Sequence, residues 1–289
     1  MRSEQEMLDL FLNYARKDER IRAVTLEGSR TNPNAPKDLF QDFDISYHVT
    51  EMDSFKNDPR WVDVFGERIL MQMPEAMAMF PPELGRRFSY LILFADGNKA
   101  DLTLIPLDEA EDYRQEDKLM MVLLDKDGVF PDVPPPTDED YRVKRPPAEF
   151  IADCCNEFWM LSTYVAKGLW RKEMLFAQDH LALMRPLLLK MVEWQVGIDT
   201  GFSVSIGKNG KYLERYMTGS HWSKLMATYP NGTYDGVWAA LFAMVELFRS
   251  TALDVAERLN YEFPLEDDRR VTGYLMRVQS LAPDAKGIF

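Results

Sequence analysis

GSRTNPNAPKDLFQDFDI, residues 28–45, decides how the first half of this chain is read. Its upstream neighbour IRAVTLE (21–27) has the composition of a strand, which Gly28-Ser29 ends. After the residues 30–41 a second strand begins at Asp42 and alternates cleanly through Val49. Asp42, Asp44, Ser46 and His48 fall on one face, and Phe43, Ile45, Tyr47 and Val49 on the other, because successive strand residues point to opposite sides. Two carboxylates therefore project together, about 6–7 Å apart along the strand. Like charges at that spacing repel, so a site that keeps both calls for a cation between them. Oxygen ligands on a rigid strand suit magnesium, which takes a few carboxylates and fills its octahedron with water and phosphate oxygens. Taken alone, the pair also reads as a half-exposed strand with an acidic outer face.

The residues on either side sharpen the choice. A glycine lets a ligand approach the backbone, and the N–H groups and serine hydroxyl after it can hydrogen-bond phosphate oxygens. No GKS or GKT follows, and no GxGxxG is present, so the turn is neither a Walker loop nor a dinucleotide fingerprint. Gly-Ser, a gap, Asp-apolar-Asp-apolar and a third acid between apolar residues together resemble the DNA polymerase β-like nucleotidyltransferases. Asp101 in ADLTL fits the third position. Glu27 departs from the pattern, which has an apolar residue before the glycine.

Composition limits the partners. With 34 Lys and Arg against 47 Asp and Glu, the net charge is −13, and nucleic acid is excluded as an expected ligand because its binding needs clustered cations. A strongly acidic protein attracts cationic molecules instead. MRSEQEMLD carries no apolar signal core and no run approaches a membrane span, so a cytoplasmic monomer is expected. Cys154 and Cys155 make neither a disulfide framework nor a CxxC site, and are expected as reduced residues in or near a core.

Along the chain, Ser3 and Glu6 form a capping-box signature before a helix over 3–17. Strands over 21–27 and 42–49 follow, then a short helix at 58–66 and a strand at 68–73. MPEAMAMFPPE is expected as a loop near the site. SYLILFA (89–95) and KADLTLI (99–105) form a hairpin around Asp96-Gly97-Asn98, with Asp101, Thr103 and Ile105 on one face. Residues 107–118 read as an acidic helix and 119–130 as a strand and turn. Asp125 and Asp127 begin an EF-hand-like spacing, but Val129 and Pro136 stand at ligand positions, so that loop is a turn. PDVPPPTDEDY (131–141) is a connector. Beyond it helices are expected from 147, from 171 to 196 with Pro186 kinking or dividing it, at 210–217 and 221–229, and from 234 to 259, with a polar helix last. The expected class is α+β: a mixed-sheet nucleotidyltransferase domain with flanking helices over 1–135, and an all-α helical bundle over 136–289.

A polymerase β-like site implies in-line attack of a hydroxyl on the α-phosphate of ATP, with pyrophosphate leaving. Asp42 and Asp44 are the expected metal ligands, and Asp101 the general base and a further ligand. Gly28, Ser29 and Arg30 are expected at the phosphates. Lys208 and Lys211 in GKNGKYLERYM are candidates for the β- and γ-phosphates, and equally read as solvated lysines. Asp153, Glu157, Trp170, Glu173, Asp179 and His180 would suit a polyhydroxylated cationic acceptor through charge-assisted hydrogen bonds and ring stacking. Each acid also reads as an ordinary solvated helix residue. His48, His180 and His221 are too scattered for a ligand set, and His48, on the Asp42 face, also reads as a simply exposed residue.

LEGSRTNPNAPKDLFQDFDISYHV, ADLTLIP, FWMLSTYVAKGLWRKEMLFAQDHL and GKNGKYLERYM resemble the bacterial aminoglycoside 6-adenylyltransferases over nearly the whole chain. The resemblance implies magnesium-dependent transfer of AMP from ATP to the 6-hydroxyl of streptomycin, giving antibiotic resistance. A nucleotidyltransferase acting on a macromolecule, and a non-catalytic nucleotide-binding regulator, are the competing readings.

Overall fold

Ser3 starts the fold. Its hydroxyl accepts the Glu6 amide while the Glu6 carboxylate takes the Ser3 N–H at 2.7 Å, the capping box at the head of α1 (Glu4–Lys17). Such a cap contributes on the order of 1 kcal/mol. The computed structural model describes all 289 residues, which divide into two units, Met1–Asp140 and Tyr141–Phe289.

In the first unit, β1 (Ile21–Glu27) and β2 (Phe43–Val49) are followed by a short α2 (Asp53–Asn57), then β3 (Arg68–Gln72), β4 (Phe88–Phe94) and β5 (Lys99–Pro106). A second short helix, α3 (Ala110–Glu116), leads into β6 (Met120–Asp125). The sheet order is β3-β4-β5-β2-β1-β6. Only β2 and β5 run parallel; the other neighbours are antiparallel. The expected hairpin forms β4 and β5, with Gly97 at φ 90° and the Asn98 amide on the Asp96 carboxylate at 3.0 Å.

One face of this sheet is apolar. Phe43, Ile45, Tyr47, Tyr90, Ile92, Leu102 and Leu104 are fully buried there with Met7, Phe11 and Ala15 of α1. The phenol of Tyr47 is buried but donates to the Phe11 carbonyl at 2.8 Å, so its polar atom is satisfied. The segment at 58–66 forms a 3-10 helix (Pro59–Phe65) rather than an α-helix. Its Trp61 packs edge-on against Phe55, Phe65 and Tyr90.

The division between the units falls at 140/141, against 135/136 expected from the prolines. After the proline run the chain turns back onto the first unit: Thr137 donates to the Lys118 carbonyl at 3.2 Å, and Lys118 pairs with Glu139 and Asp140. The EF-hand-like aspartate does close a turn, since Asp125 accepts the amides of Asp127, Val129 and Phe130.

The second unit is helical: α4 (Ala148–Trp170), α5 (Met174–Asp199), α6 (Gly219–Ala227), α7 (Tyr234–Leu259) and α8 (Leu265–Ser280). Phe158 stacks on Phe248 at 3.7 Å between ring centroids in its core. Pro186 does not divide α5. Met184, Leu188 and Met191 are fully buried around it, and this packing outweighs the lost backbone hydrogen bond. The helix expected at 210–217 is instead two 3-10 turns, Lys208–Gly210 and Leu213–Arg215. Gly207, Asn209 and Gly210 have positive φ, which an α-helix cannot accommodate. Both cysteines are buried, and burial pushes their thiols up to about 12. By length and composition α7 alone is apolar enough to cross a membrane, but half of its most apolar stretch is buried inside the protein. A core helix passes the same test.

Candidate active site

The second face of the sheet changes character along its strands. At the upstream end of β2, the register aligns Glu27 with Asp44, Asp44 with Asp101, and Asp101 with Leu91. Acids from β1, β2 and β5 thus form one row across the sheet, with neighbouring strands about 4.8 Å apart. One step further is a row of hydroxyls, Thr25, Ser46, Thr103 and Ser89, in which Ser89 and Thr103 are bonded at 2.9 Å. Beyond that come Ala23, His48 and Ile105, all fully buried. The sheet therefore carries its charge at one end and seals the other.

His48 corrects an expectation. It is enclosed rather than exposed, edge-on to Tyr113 and Phe130, with Nε2 3.2 Å from the Thr25 hydroxyl and Nδ1 unpartnered. Burial, aided by the Arg87 charge, pulls its pKa down to about 3, so the imidazole is neutral.

Asp44 is partly buried. Burial and then the charges of Asp101 and Asp42 push it up to about 6, against the opposing pull of Lys99 and Arg30. Gly28 lies hard against it. With φ +69°, this glycine adopts a conformation that side chains rarely take, and a Cβ built there would stand 2.5 Å from Asp44 Oδ2. Only a residue without a side chain fits between the turn and the carboxylate. The Gly28 amide is already committed to the Leu119 carbonyl at 3.0 Å. Of the Gly-Ser pair, the amide and hydroxyl of Ser29 have no partner in the chain.

Lys99 was not among the residues singled out from sequence. Its ammonium bridges Asp42 Oδ2 at 2.8 Å and Asp101 Oδ1 at 2.6 Å. Burial lowers its pKa, but the bonds to Asp101 and Asp42 outweigh that and leave it raised. A signal was available: Lys99 is two residues before Asp101, so alternation puts both on one face. Glu27 was noted only as a departure. Its Oε2 is 3.3 Å from the Ser46 hydroxyl while Oε1 is enclosed without a partner, and burial pushes its pKa up to about 7.

Arg30, expected at the phosphates, is used by the chain itself. It donates to the carbonyls of Asp42 at 2.9 Å and Gln41 at 2.7 Å, lies 3.5 Å over the Phe43 ring and pairs with Glu4 at 3.2 Å. Only 7% of its side chain is exposed. It is a clamp on the start of β2.

The remaining candidates lie in the helical unit. Lys208 and Lys211 are exposed in the turns after α5, with Lys211 5.1 Å from the Tyr212 ring. Asp153 and Glu157 are exposed one turn apart on α4, and Glu173 and Asp179 are exposed at the start of α5. Trp170 is half-buried at the end of α4 with its indole N–H enclosed and unpartnered. His180 is bonded through Nδ1 to the Phe176 carbonyl at 2.8 Å.

The donor set of the first unit suits a hard divalent cation in kind: carboxylates on β2, on β5 and just before β2, with surplus negative charge and a cation already drawn to them. As they stand, no three such side chains converge closely enough to ligate an ion. Lys99 holds the position between Asp42 and Asp101.

A glycine turn set against Asp42 and Asp44, with a third acid on the parallel neighbour, is the arrangement that the resemblance to the nucleotidyltransferases implies. A family model for streptomycin adenylyltransferase matches residues 1–278. An aminoglycoside 6-adenylyltransferase of Bacillus subtilis is 54% identical over 276 residues, 95% of this chain and 97% of its own. One from Campylobacter jejuni is 49% identical over 278 residues, covering 96% of each. A crystal structure of an aminoglycoside 6-adenyltransferase from Bacillus subtilis shares 48% identity over 97% of this chain and 100% of its own, with a TM-score of 0.49. The chain belongs to the streptomycin adenylyltransferase family.

Proposed function

We propose that the protein moves AMP from ATP to a hydroxyl of an aminoglycoside, that the acceptor is the 6-hydroxyl of streptomycin, and that the reaction depends on magnesium. The observation that carries this reading is the row of acids beside Gly28, with Asp44 and Asp101 opposite one another. Bound magnesium would neutralise the triphosphate and stabilise the charge that develops as pyrophosphate leaves.

Asp42 and Asp44 are the residues that would hold the metal. Asp101, on a separate strand, would take the proton of the acceptor hydroxyl. Gly28 lets the triphosphate approach the backbone, and the free amide and hydroxyl of Ser29 supply donors to its oxygens. Lys208 and Lys211 contribute charge to the outer phosphates. Asp153, Glu157, Glu173 and Asp179 would pair with the cationic groups of the acceptor, and Trp170 would stack against it.

A net charge of −13 favours a cationic small molecule over nucleic acid. A cytoplasmic monomer, free of membrane, completes the reading. The test is pyrophosphate release from ATP and magnesium across a panel of hydroxylated amines. Release stimulated by streptomycin and lost on chelation is expected. Release without any aminoglycoside preference would overturn the acceptor, and no release under any condition would overturn the activity.

A further inference from the structure

The cation that pairs with Asp42 and Asp101 in this structure is part of the protein. Register makes this a built feature rather than a chance surface contact. Phe43, the first residue of β2, pairs with Ala100 on the parallel neighbour, and just before that pair the Lys99 ammonium reaches the Asp42 carboxylate, upstream of the Asp44–Asp101 pair. The charges form a square of three acids and one base. The ammonium reaches diagonally to Asp101 as well as across to Asp42. It is 38% exposed on a long flexible stem, so moving it aside requires no backbone change.

We infer that Lys99 is an internal counter-ion that sits in the divalent-cation seat and must be displaced for the metal to enter. This rests on the magnesium reading proposed above. Without Lys99, only the charge of Arg30 would offset the mutual repulsion of Asp42, Asp44 and Asp101. With it, an ion arriving alone has to break two charge-assisted contacts before it gains its ligands. An ion arriving with ATP replaces them at once and offers phosphate oxygens to the released ammonium. Lys99 is thus a positioning residue that ties metal entry to nucleotide entry and keeps the acids from loading a bare ion.

The test is manganese binding to the nucleotide-free protein, followed by the electron spin resonance signal of the free ion. Lys99→Met should bind Mn²⁺ about tenfold more tightly than the native protein, the factor expected when charge-assisted contacts that compete with the ion are removed. Lys99→Gln should behave alike, which guards against one variant that folds poorly. Adding Asp44→Asn to Lys99→Met should abolish the gain. Addition of a non-hydrolysable ATP analogue should improve Mn²⁺ binding far more in the native protein than in Lys99→Met. Equal or weaker ion binding by both Lys99 variants, with the native protein binding Mn²⁺ through Asp44, would overturn the inference and leave the metal reading intact. Failure of every form to bind Mn²⁺, with or without nucleotide, would overturn the metal reading and this inference with it.

Discussion

Asp44 and Asp101 stand directly opposite one another on the two parallel strands of an otherwise antiparallel sheet. Two carboxylates in adjacent register are an unfavourable pair, and the raised pKa of Asp44, due first to burial and then to Asp101, expresses that cost. A costly pair of this kind at the mouth of a glycine turn supports the proposal that the chemistry takes place there.

Asp101→Asn removes the proposed base while keeping the shape of the residue. Transfer is expected to fall by about 10²–10⁴-fold, with ATP binding preserved. Single-turnover kinetics alongside nucleotide titration check this, and transfer at the native rate would remove Asp101 from the role.

Gly28→Ala places a methyl group against the Asp44 carboxylate at a backbone angle that disfavours it. The conformational penalty alone is about 1–2 kcal/mol, and relief of the contact requires Asp44 to move. Both the urea midpoint and the transfer rate should drop. A variant that loses activity with an unchanged midpoint would mean that the turn simply opens.

Arg30→Ala separates a clamp from a phosphate ligand. Loss of hydrogen bonds from a buried guanidinium to the carbonyls of Gln41 and Asp42 should cost about 2–3 kcal/mol. Thermal unfolding reads that loss directly. A raised KM for ATP at unchanged stability would return Arg30 to the phosphates.

Two buried groups should give opposing pH dependences. His48 holds no proton in the folded protein until pH falls toward about 3, whereas the unfolded chain takes one up near 6.5. Its contribution is complete above pH 6.5 and is lost as pH falls through that window. Glu27, with its pKa pushed up to about 7 by burial, keeps a proton that the unfolded chain releases near 4.5, so its penalty grows as pH rises from 4.5 to 7. Urea unfolding of His48→Leu and Glu27→Gln at several pH values checks both. The native advantage over His48→Leu should shrink from pH 7 to pH 5. The stability of Glu27→Gln relative to the native protein should grow as pH rises from 5 to 8.

Much of the first unit was legible because its signals are local. Period-2 alternation gave the faces of β2 and β5, Ser3 and Glu6 gave the first cap, and Asp96-Gly97-Asn98 gave the hairpin. The acids of Asp42, Asp44 and Asp101 were legible as residues that do not belong in apolar strands. Register was not, because no local rule says which residue of β5 faces Asp44. That is why Lys99, two residues before an identified aspartate, went unread. The environment of His48 was hidden for the same reason, since Tyr113 and Phe130 reach it from distant segments. In the helical unit, apolar spacing predicted the long helices. It failed at 210–217, where the positive φ of Gly210, following those of Gly207 and Asn209, defeats the helical pattern.

The most direct measurement is the mass of streptomycin after incubation with this protein, ATP and magnesium. A gain of one AMP unit is expected, dependent on magnesium and absent with Asp42→Ala and Asp44→Asn. Unmodified streptomycin in the presence of folded, nucleotide-binding protein, or a gain that survives loss of both aspartates, would contradict that expectation.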